Sequence, residues 1–161
     1  MSSSSIDLHF RRITAATVLD VCRLSASLPA PQREMVTDNA ISIAQAHVSE
    51  QAWLRAIYAD EELVGFILLH FGSDYDDGID CPGVFLWRLM IAKEFQGRGY
   101  GAQAMSRLIA HLRSLGIPEL YTSCGIGEAS PLGFYERLGF EKTGAYYGEE
   151  PELMLKIDGC R

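Results

Sequence analysis

The sequence predicts an α+β fold: one mixed, mostly antiparallel sheet of about seven strands, flanked by about four helices. Two observations lead to this prediction. Short apolar segments of strand character alternate with stretches of helical periodicity in the order β-α-α-β-β-β-α-β-α-β-β. In addition, no repeat, long linker or change of composition divides the 161 residues, so we expect a single domain over residues 1–161.

The first half of the chain is expected to supply three strands and two helices. Thr14 has the character of a helix cap, and the pair Pro29 and Pro31 marks where the first helix ends. The charged turn at residues 60–62 joins two apolar runs and indicates a hairpin. The predicted elements are a strand at 6–13, helices from Thr14 to about Pro29 and over about 34–46, and strands at 53–59 and 63–71.

The second half begins with a loop over residues 72–83, in which three glycines, four aspartates and a proline preclude regular structure. Residues 84–91 are nearly all apolar, as in strands that are buried on both faces. The helix that follows has one apolar face and ends before Gly116. The predicted elements are strands at 84–91, 120–124, 140–147 and 152–157, a helix over about 99–115, and a short helix capped by Ser130 with Pro131 in its first turn.

Charge and composition exclude several classes of function. The net charge of −7 and the pI of about 5.0 lack the basic footprint of a nucleic-acid-binding protein. The longest nearly apolar stretch, residues 64–71, is too short to span a bilayer, and residues 1–5 resemble a disordered tail rather than a secretion signal. Cys22, Cys81, Cys124 and Cys160 are too scattered for a zinc site. We therefore expect no metal, no membrane association, and reduced thiols in a cytoplasmic protein.

The most informative segment is a glycine-rich loop between a buried strand and an amphipathic helix. Glycines let the backbone turn tightly and approach a ligand closely, and the N-terminus of a helix favours an anion. Arg98 adds a positive charge that can pair with phosphate. We call this segment the glycine loop, and the predicted phosphate site consists of Gln96, Gly97, Arg98, Gly99, Tyr100 and Gly101.

A dinucleotide-binding fingerprint is the alternative for the same loop. Gly97, Gly99 and Ala102 satisfy the pattern G-x-G-x-x-A, which belongs to the first strand of a βαβ unit and requires an acid after the next strand. Here about ninety residues precede the loop, and the acid at the right distance, Glu119, comes before the strand. The context therefore argues against a dinucleotide.

Two motifs in order resemble those of the GNAT acetyltransferase superfamily. Gln96, Gly99 and Gly101 fill its pyrophosphate pattern Q/R-x-x-G-x-G/A, and residues 89–95 resemble the strand that leads into it. Residues 133–140 match the family segment F-Y-x-x-L-G-F. The resemblance covers the whole chain, less specifically over residues 1–50, and implies a single GNAT-like domain with acetyl-CoA as co-substrate. Within the superfamily, the spermine/spermidine and diamine acetyltransferases are most similar, at residues 56–60, 85–91 and 120–123.

The resemblance also implies roles for individual residues. The backbone of Leu89, Met90 and Ile91 would pair with the pantetheine arm, and an N–H of this strand would stabilise the developing oxyanion. Tyr135 would act as general acid, because a tyrosine hydroxyl is protonated at neutral pH and can donate to the departing thiolate. Glu128 departs from the family, in which many members have asparagine at the matching position.

The general base is left open by the sequence, because residues 85–91 contain no carboxylate. His70, at the end of its strand, is expected to be exposed and is one candidate to accept the proton through water. Arg88 alternates with apolar residues and could pair with an acid. The remaining candidates lie in the loop at 72–83, whose acidic residues are also expected to concentrate a cationic substrate: Asp74, Asp76, Asp77 and Asp80.

These features predict an amine N-acetyltransferase that acts on a small primary amine, with a polyamine or diamine as the leading substrate class. An acetyltransferase for another amine, such as an aminoglycoside, an amino acid or a protein N-terminus, is the first alternative. An acetyl-CoA-binding sensor without turnover is the alternative of another class. The family resemblance also implies a homodimer.

Overall fold

The computed structural model describes residues 5–74 and 78–157. The strands are β1 (Leu8–Arg11), β2 (Ala52–Ala59), β3 (Glu62–Phe71), β4 (Val84–Ile91), β5 (Glu119–Ser123), β6 (Glu141–Tyr147) and β7 (Glu150–Lys156). The helices are α1 (Val18–Leu24), α2 (Ala30–Arg33), α3 (Asn39–Val48), α4 (Tyr100–Ser114) and α5 (Leu132–Arg137). Short 3-10 turns at Ser25–Ser27 and Lys93–Phe95 follow α1 and β4.

All seven strands form one sheet in the order β1-β2-β3-β4-β5-β7-β6. Every neighbouring pair is antiparallel except β4 and β5, which run parallel. The parallel pair requires a crossover, and the glycine loop and α4 supply it. The predicted mixed, mostly antiparallel sheet is therefore confirmed.

The pairing between β4 and β5 ends early and leaves a gap in the sheet. Its register runs from Val84 opposite Leu120 to Leu86 opposite Thr122, so the second half of β4 extends past its parallel neighbour. On the other side of β4 the register with β3 shifts, and Trp87 is the extra residue of a bulge. The bulge and the early end of pairing both mark the middle of β4 as the point where the sheet opens.

Each face of the sheet has its own core. One core packs α4 and α5 on the sheet through residues such as Met105, Leu108 and Leu112, which are fully buried. The opposite core packs α1 and α3 on the sheet around Phe66 and Phe85. Tyr135 belongs to the first core and Trp87 to the second, so the gap beside β4 is bordered by both.

The structure differs from the predicted elements mainly before β2. The predicted helix at 34–46 corresponds to α3, which begins later, at Asn39. The short α2 lies before the predicted range and was not predicted, so the described residues contain five helices rather than four. The missed signal is Asp38, whose side chain accepts a hydrogen bond from the Ala40 N–H at 2.9 Å and so fixes the start of α3. β1 is also shorter than predicted, and α1 begins after Thr17 rather than at Thr14.

The described residues include no helix that is both long enough and apolar enough to cross a membrane.

Candidate active site

A cavity of about 730 Å³, here called the cofactor cavity, lies beside the second half of β4. Its walls come from Leu89, Met90 and Ile91, from the glycine loop, from the first turn of α4, and from α5. Leu28, Gln32, Met35 and Val36 close it from the side of α2. Because the lining is mostly apolar beside β4 and rich in backbone at the loop, the cavity can enclose an aliphatic arm that ends in an anion.

Two glycines of the loop are required by backbone conformation. Gly97 and Gly99 have φ angles of +79° and +82°, in the left-handed region. A Cβ atom at either position would meet nothing within 4 Å, so space is not what restricts these positions. Gly101 differs, since a Cβ atom there would lie 3.4 Å from the ring of Phe134. The loop thus combines two left-handed glycines with one close contact.

The N-terminus of α4 opens onto the same cavity. The helix begins at Tyr100, and Gly99 at its cap has no side chain that could accept from the first N–H groups. Tyr100, Gly101 and Ala102 line the cavity. The unpaired N–H groups of this first turn and the helix dipole therefore face the position where a phosphate would bind.

Gln96 fastens the loop to its surroundings. Its Nε2 donates to the Ile91 carbonyl at 2.9 Å and to Oε1 of Gln32 at 2.8 Å. In return, Nε2 of Gln32 donates to Oε1 of Gln96 at 3.2 Å. The side chain of Gln96 is therefore engaged with β4 and α2, and its amide holds the loop in place.

Arg98 is not brought to the cofactor cavity. Its Nη2 donates to the Glu94 carbonyl at 3.2 Å, and its guanidinium lies 5.4 Å from the ring centroid of Phe95. The side chain is exposed and does not line the cavity. Pairing of Arg98 with phosphate stays a prediction that requires this side chain to turn. Arg137, which the sequence analysis did not single out, does line the cavity.

A second cavity of about 560 Å³, here called the acceptor cavity, lies between the first half of β4, β5 and the α2–α3 segment. Its lining includes the bulge residue Trp87, with Arg88, Thr122 and Ser123. Five residues line both cavities: Met35, Val36, Leu89, Pro131 and Tyr135. The two cavities therefore share a wall, and Tyr135 is the residue of that wall with an ionisable group.

Tyr135 is held rigidly between the cavities. It lies on α5, where the Ser130 hydroxyl accepts a hydrogen bond from the Leu132 N–H at 3.3 Å. The rings of Phe134 and Phe140 pack edge-on against it, each with its centroid 5.3 Å away. Only 6% of the residue is exposed, and burial raises the pKa of its hydroxyl well above the usual value, with the Cys124 thiol adding to the effect. The hydroxyl therefore stays protonated across the neutral range.

The two described aspartates of the acidic loop, Asp74 and Asp80, do not line either cavity. Asp74 accepts hydrogen bonds from the Ser49 hydroxyl at 2.6 Å and the Glu50 N–H at 2.9 Å, and the Ser49 bond is the main reason its pKa is lowered. The side chains of both aspartates are exposed. Asp76 and Asp77 lie outside the described residues. Ile79 is the loop residue that reaches the acceptor cavity.

Other carboxylates line the acceptor cavity instead: Glu34, Asp38 and Glu150. Asp38 is engaged as the cap of α3, and its second oxygen accepts from the Ser25 hydroxyl at 3.4 Å. Glu150 lies at the start of β7, where it accepts from the Ser123 hydroxyl at 3.5 Å. The sequence shows that residues 149, 150 and 152 are acidic, but only the structure shows that Glu150 is the one of them that lines the cavity with Tyr135.

The remaining predicted residues have mixed outcomes. Arg88 lines the acceptor cavity, where its Nη1 donates to the Trp87 carbonyl at 2.9 Å and its guanidinium stacks 4.5 Å from the Trp87 ring.

The prediction of an exposed His70 is wrong, because the residue is completely buried and stacks on Phe85 at 5.2 Å. Glu128 is exposed and lines neither cavity. Within the described ranges, no three histidine, cysteine, aspartate or glutamate side chains group as a metal site.

The sequence motifs predict a glycine loop between a buried strand and the start of a helix, and the structure places these elements at one cavity. The extension of β4 past its pairing with β5 is a further feature of that cavity, which the sequence did not predict. Residues 19–140 match the family model described as "Acetyltransferase (GNAT) family". The chain belongs to the GNAT acetyltransferase family. GNAT acetyltransferases use acetyl-CoA, so the predicted family and its cofactor are confirmed together.

Individual relatives agree with this membership. A probable spermine N(1)-acetyltransferase of Bacillus subtilis subsp. natto is 30% identical over 101 residues, which are 62% of this chain and 66% of that protein. This GNAT chain therefore aligns with just under two thirds of that relative's length.

Two solved structures share the fold. An acetyltransferase from Thermus thermophilus is 21% identical with a TM-score of 0.68, over 92% of this chain and 96% of the other. The PaiA N-acetyltransferase from Thermoplasma acidophilum, solved in complex with coenzyme A, is 18% identical with a TM-score of 0.62, over 93% and 99% of the two chains.

Proposed function

We propose that this protein transfers the acetyl group of acetyl-CoA to a primary amine of a polyamine or diamine, with Tyr135 as general acid. The observation that carries the proposal is the position of Tyr135 in the wall between two cavities. One cavity has the features of a cofactor site, and the other is polar and acidic. A hydroxyl between them would lie beside a departing thiolate, and because burial raises the pKa of Tyr135, this hydroxyl is protonated at neutral pH.

The cofactor cavity supports the first half of this reaction. The glycine loop and the first N–H groups of α4 would bind the pyrophosphate. The backbone of Leu89, Met90 and Ile91, where β4 extends past the β5 pairing, would hold the pantetheine arm in the manner of an added strand. Leu89 lines both cavities, so a backbone N–H near it is well placed to stabilise the oxyanion of the tetrahedral intermediate.

The charges that line the acceptor cavity favour the binding of a cationic amine. Three carboxylates and two guanidinium groups line it among the described residues, and the whole chain carries a net charge of −7. Such a field raises the local concentration of a polycation. The name of the Bacillus relative, a probable spermine N(1)-acetyltransferase, agrees with this substrate class.

A panel of amines tests the proposal. Release of free thiol from acetyl-CoA is measured with spermine, spermidine, a diamine, a monoamine, an aminoglycoside and a peptide with a free N-terminus, while acetyl-CoA binding is measured in parallel. We expect the highest kcat/KM for a polyamine or diamine. Fast turnover of another amine alone would contradict the substrate class, and acetyl-CoA binding without any turnover would favour a sensor.

We also propose a homodimer in the cytoplasm. β6 is one of the two edge strands of the sheet and is exposed over nearly its whole length, which leaves it open to pairing with a second copy. Cys22, Cys81 and Cys124 are free thiols, as is usual in a reducing compartment. Light scattering of the purified protein tests the dimer, and a monomer at all concentrations would contradict it.

A further inference from the structure

Acetyl transfer to an amine needs a group that accepts the proton of the incoming ammonium, and the sequence left that group open. We propose that Glu150 is this general base. The inference rests on the proposed function, because it assigns the acceptor cavity to the amine. Glu150 lies on β7, outside the two motifs that identify the family, and it lines the acceptor cavity together with Tyr135.

The other described carboxylates of this cavity are less suited to the role. Both oxygens of Asp38 already accept hydrogen bonds, from the Ala40 N–H and the Ser25 hydroxyl. Glu34 is exposed on the segment between α2 and α3. Glu150 is half-buried, and its one described hydrogen bond, from the Ser123 hydroxyl, is long at 3.5 Å. Its carboxylate therefore retains the capacity to accept from an amine.

Backbone pairing places Glu150 at the end of the sheet where the gap opens. Ser123 of β5 pairs with Glu152 of β7, so Glu150 extends β7 beyond the last residue of β5. Because side chains alternate along a strand, Glu150 and Glu152 share one face, while Pro151 and Leu153 are buried on the other. The side chain of Glu150 therefore points away from the face that buries Leu153 and lies at the acceptor cavity.

Glu150 and Tyr135 each interact electrostatically with Cys124, a residue of the same cavity. Cys124 lines the same cavity; burial is the main cause that raises the pKa of its thiol, and the charge of Glu150 adds to it. Cys124 in turn contributes to the raised pKa of Tyr135. Glu150, Cys124 and Tyr135 thus line one cavity, in which the carboxylate would serve as the base and the buried hydroxyl as the acid.

The proton balance of the step is complete with these two residues. The ammonium gives one proton to the Glu150 carboxylate, and the nitrogen lone pair attacks the thioester carbonyl carbon. The carbon–sulfur bond then breaks with its electron pair on sulfur, and the Tyr135 hydroxyl protonates the thiolate. The second proton of the new amide nitrogen passes to the Tyr135 phenolate, and Glu150 releases its proton to solvent.

Substitution of Glu150 by Gln tests this role, because the amide keeps the shape of the side chain and cannot accept the proton. At pH 7 we expect kcat/KM for the amine to fall by about 100-fold, at the lower end of the range for general base catalysis. Acetyl-CoA affinity and the melting temperature should not change. Glu149→Gln is the matched control, since Glu149 is the exposed neighbour in the turn between β6 and β7 and should retain full activity.

The pH dependence of the Glu150→Gln defect distinguishes a general base from a residue with a structural role. A primary ammonium has a pKa of about 10, so free amine becomes abundant as the pH approaches that value. The defect of Glu150→Gln should therefore shrink to a few-fold near pH 10, where a base is no longer needed. The other ionisable side chains that face the cavity are unchanged in this comparison: Arg33, Glu34, Asp38, Arg88, Cys124 and Tyr135.

Three outcomes overturn the inference. Unchanged activity of Glu150→Gln would show that another group accepts the proton. A defect of constant size at all pH values, or an equal defect in Glu149→Gln, would show a structural or bulk electrostatic role. In each of these cases the native protein still acetylates the amine. Absence of turnover in the native protein would instead overturn the proposed function itself, so the two failures are distinguishable.

Discussion

The two cavities that meet at Tyr135 are built in different ways. Much of the cofactor cavity comes from one continuous stretch, from the end of β4 through the glycine loop into α4. It presents backbone groups, glycines and apolar side chains. The acceptor cavity is assembled from five separate parts of the chain: the α2–α3 segment, the loop before β4, β4 itself, the end of β5 with α5, and the start of β7. It presents charged side chains.

Because of this difference, the fold constrains the residues of the cofactor cavity more tightly than those of the acceptor cavity. A backbone site depends on φ angles and a helix end, which a short motif can specify. A side-chain site depends on which residues stand at the ends of distant strands, so it changes by substitution without altering the fold. We therefore expect substitutions in the cofactor cavity to act on acetyl-CoA, and those in the acceptor cavity to act on the amine. Tyr135 should affect the chemical step alone.

The largest effect is expected at Tyr135. Substitution by Phe removes the hydroxyl and leaves the ring between Phe134 and Phe140, so packing is retained. We expect kcat to fall by about 10²- to 10⁴-fold, the usual contribution of a general acid, while acetyl-CoA affinity stays within about twofold. Single-turnover thiol release together with calorimetric binding measures both quantities. Tyr146→Phe is the control, because Tyr146 is 63% exposed on β6 and should behave as the native protein.

A second prediction for Tyr135 concerns the pH dependence of kcat. Because burial raises the pKa of Tyr135 above the usual tyrosine value of about 10, its proton is retained in alkali where an exposed tyrosine would lose it. The kcat of the native protein should therefore not decline around pH 10 with the Tyr135 titration. A decline centred near pH 10 that is absent from Tyr135→Phe would show an ordinary pKa and contradict the buried donor.

A smaller effect on stability and acetyl-CoA affinity is expected when a left-handed glycine of the loop is replaced by Ala. Gly99 and Gly116 flank the two ends of α4, have φ angles of +82° and +75°, and would each accept a Cβ atom without contact. Substitution of either by Ala should lower the free energy of unfolding by about 1–2 kcal/mol, the cost of the left-handed region. Only Gly99→Ala should also weaken acetyl-CoA binding, by roughly tenfold, because relief of the strain moves the N–H groups of the first turn.

Denaturant unfolding and acetyl-CoA titration of the two variants form the measurement. An equal loss of stability with unequal affinity would locate the cofactor effect at the N-terminus of α4. If Gly116→Ala weakened binding as much as Gly99→Ala, the loss would follow from general destabilisation, and the backbone account of the cofactor cavity would be wrong.

The sequence and the structure agree on the position of the glycine loop and differ on the charged side chains, and the reason is physical. The positions of Gly97 and Gly99 follow from local rules on turns and helix ends, and the structure places both at the cofactor cavity. Arg98 lies in the same motif, but an exposed arginine side chain can adopt many rotamers. In the structure this side chain lies against Glu94 and Phe95. The motif therefore determines the path of the backbone and not the direction of this side chain.

The acidic residues show that a sequence does not reveal which carboxylates reach the acceptor cavity. Asp74 is one of four aspartates in a single loop and was a natural candidate for the substrate site. In the structure it binds Ser49 and the Glu50 N–H, because a short side chain after a glycine turn is satisfied by the nearest backbone. Glu150 reaches the acceptor cavity through the pairing of β7 with β5, and such pairing between distant strands leaves no local mark in the sequence.

The smallest effect is expected from salt, and it tests whether the charges of the acceptor cavity act on the substrate. Raising the ionic strength from about 0.01 M to about 0.1 M shortens the Debye length from about 30 Å to about 10 Å, so steering of a polycation should weaken. At saturating acetyl-CoA we expect kcat/KM for spermidine to fall several-fold, and that for n-butylamine, which carries one charge, to fall less. Initial rates across a salt series measure both. An identical response of the two amines would mean that Glu34, Asp38 and Glu150 do not select for charge, and that the acceptor cavity distinguishes amines by shape.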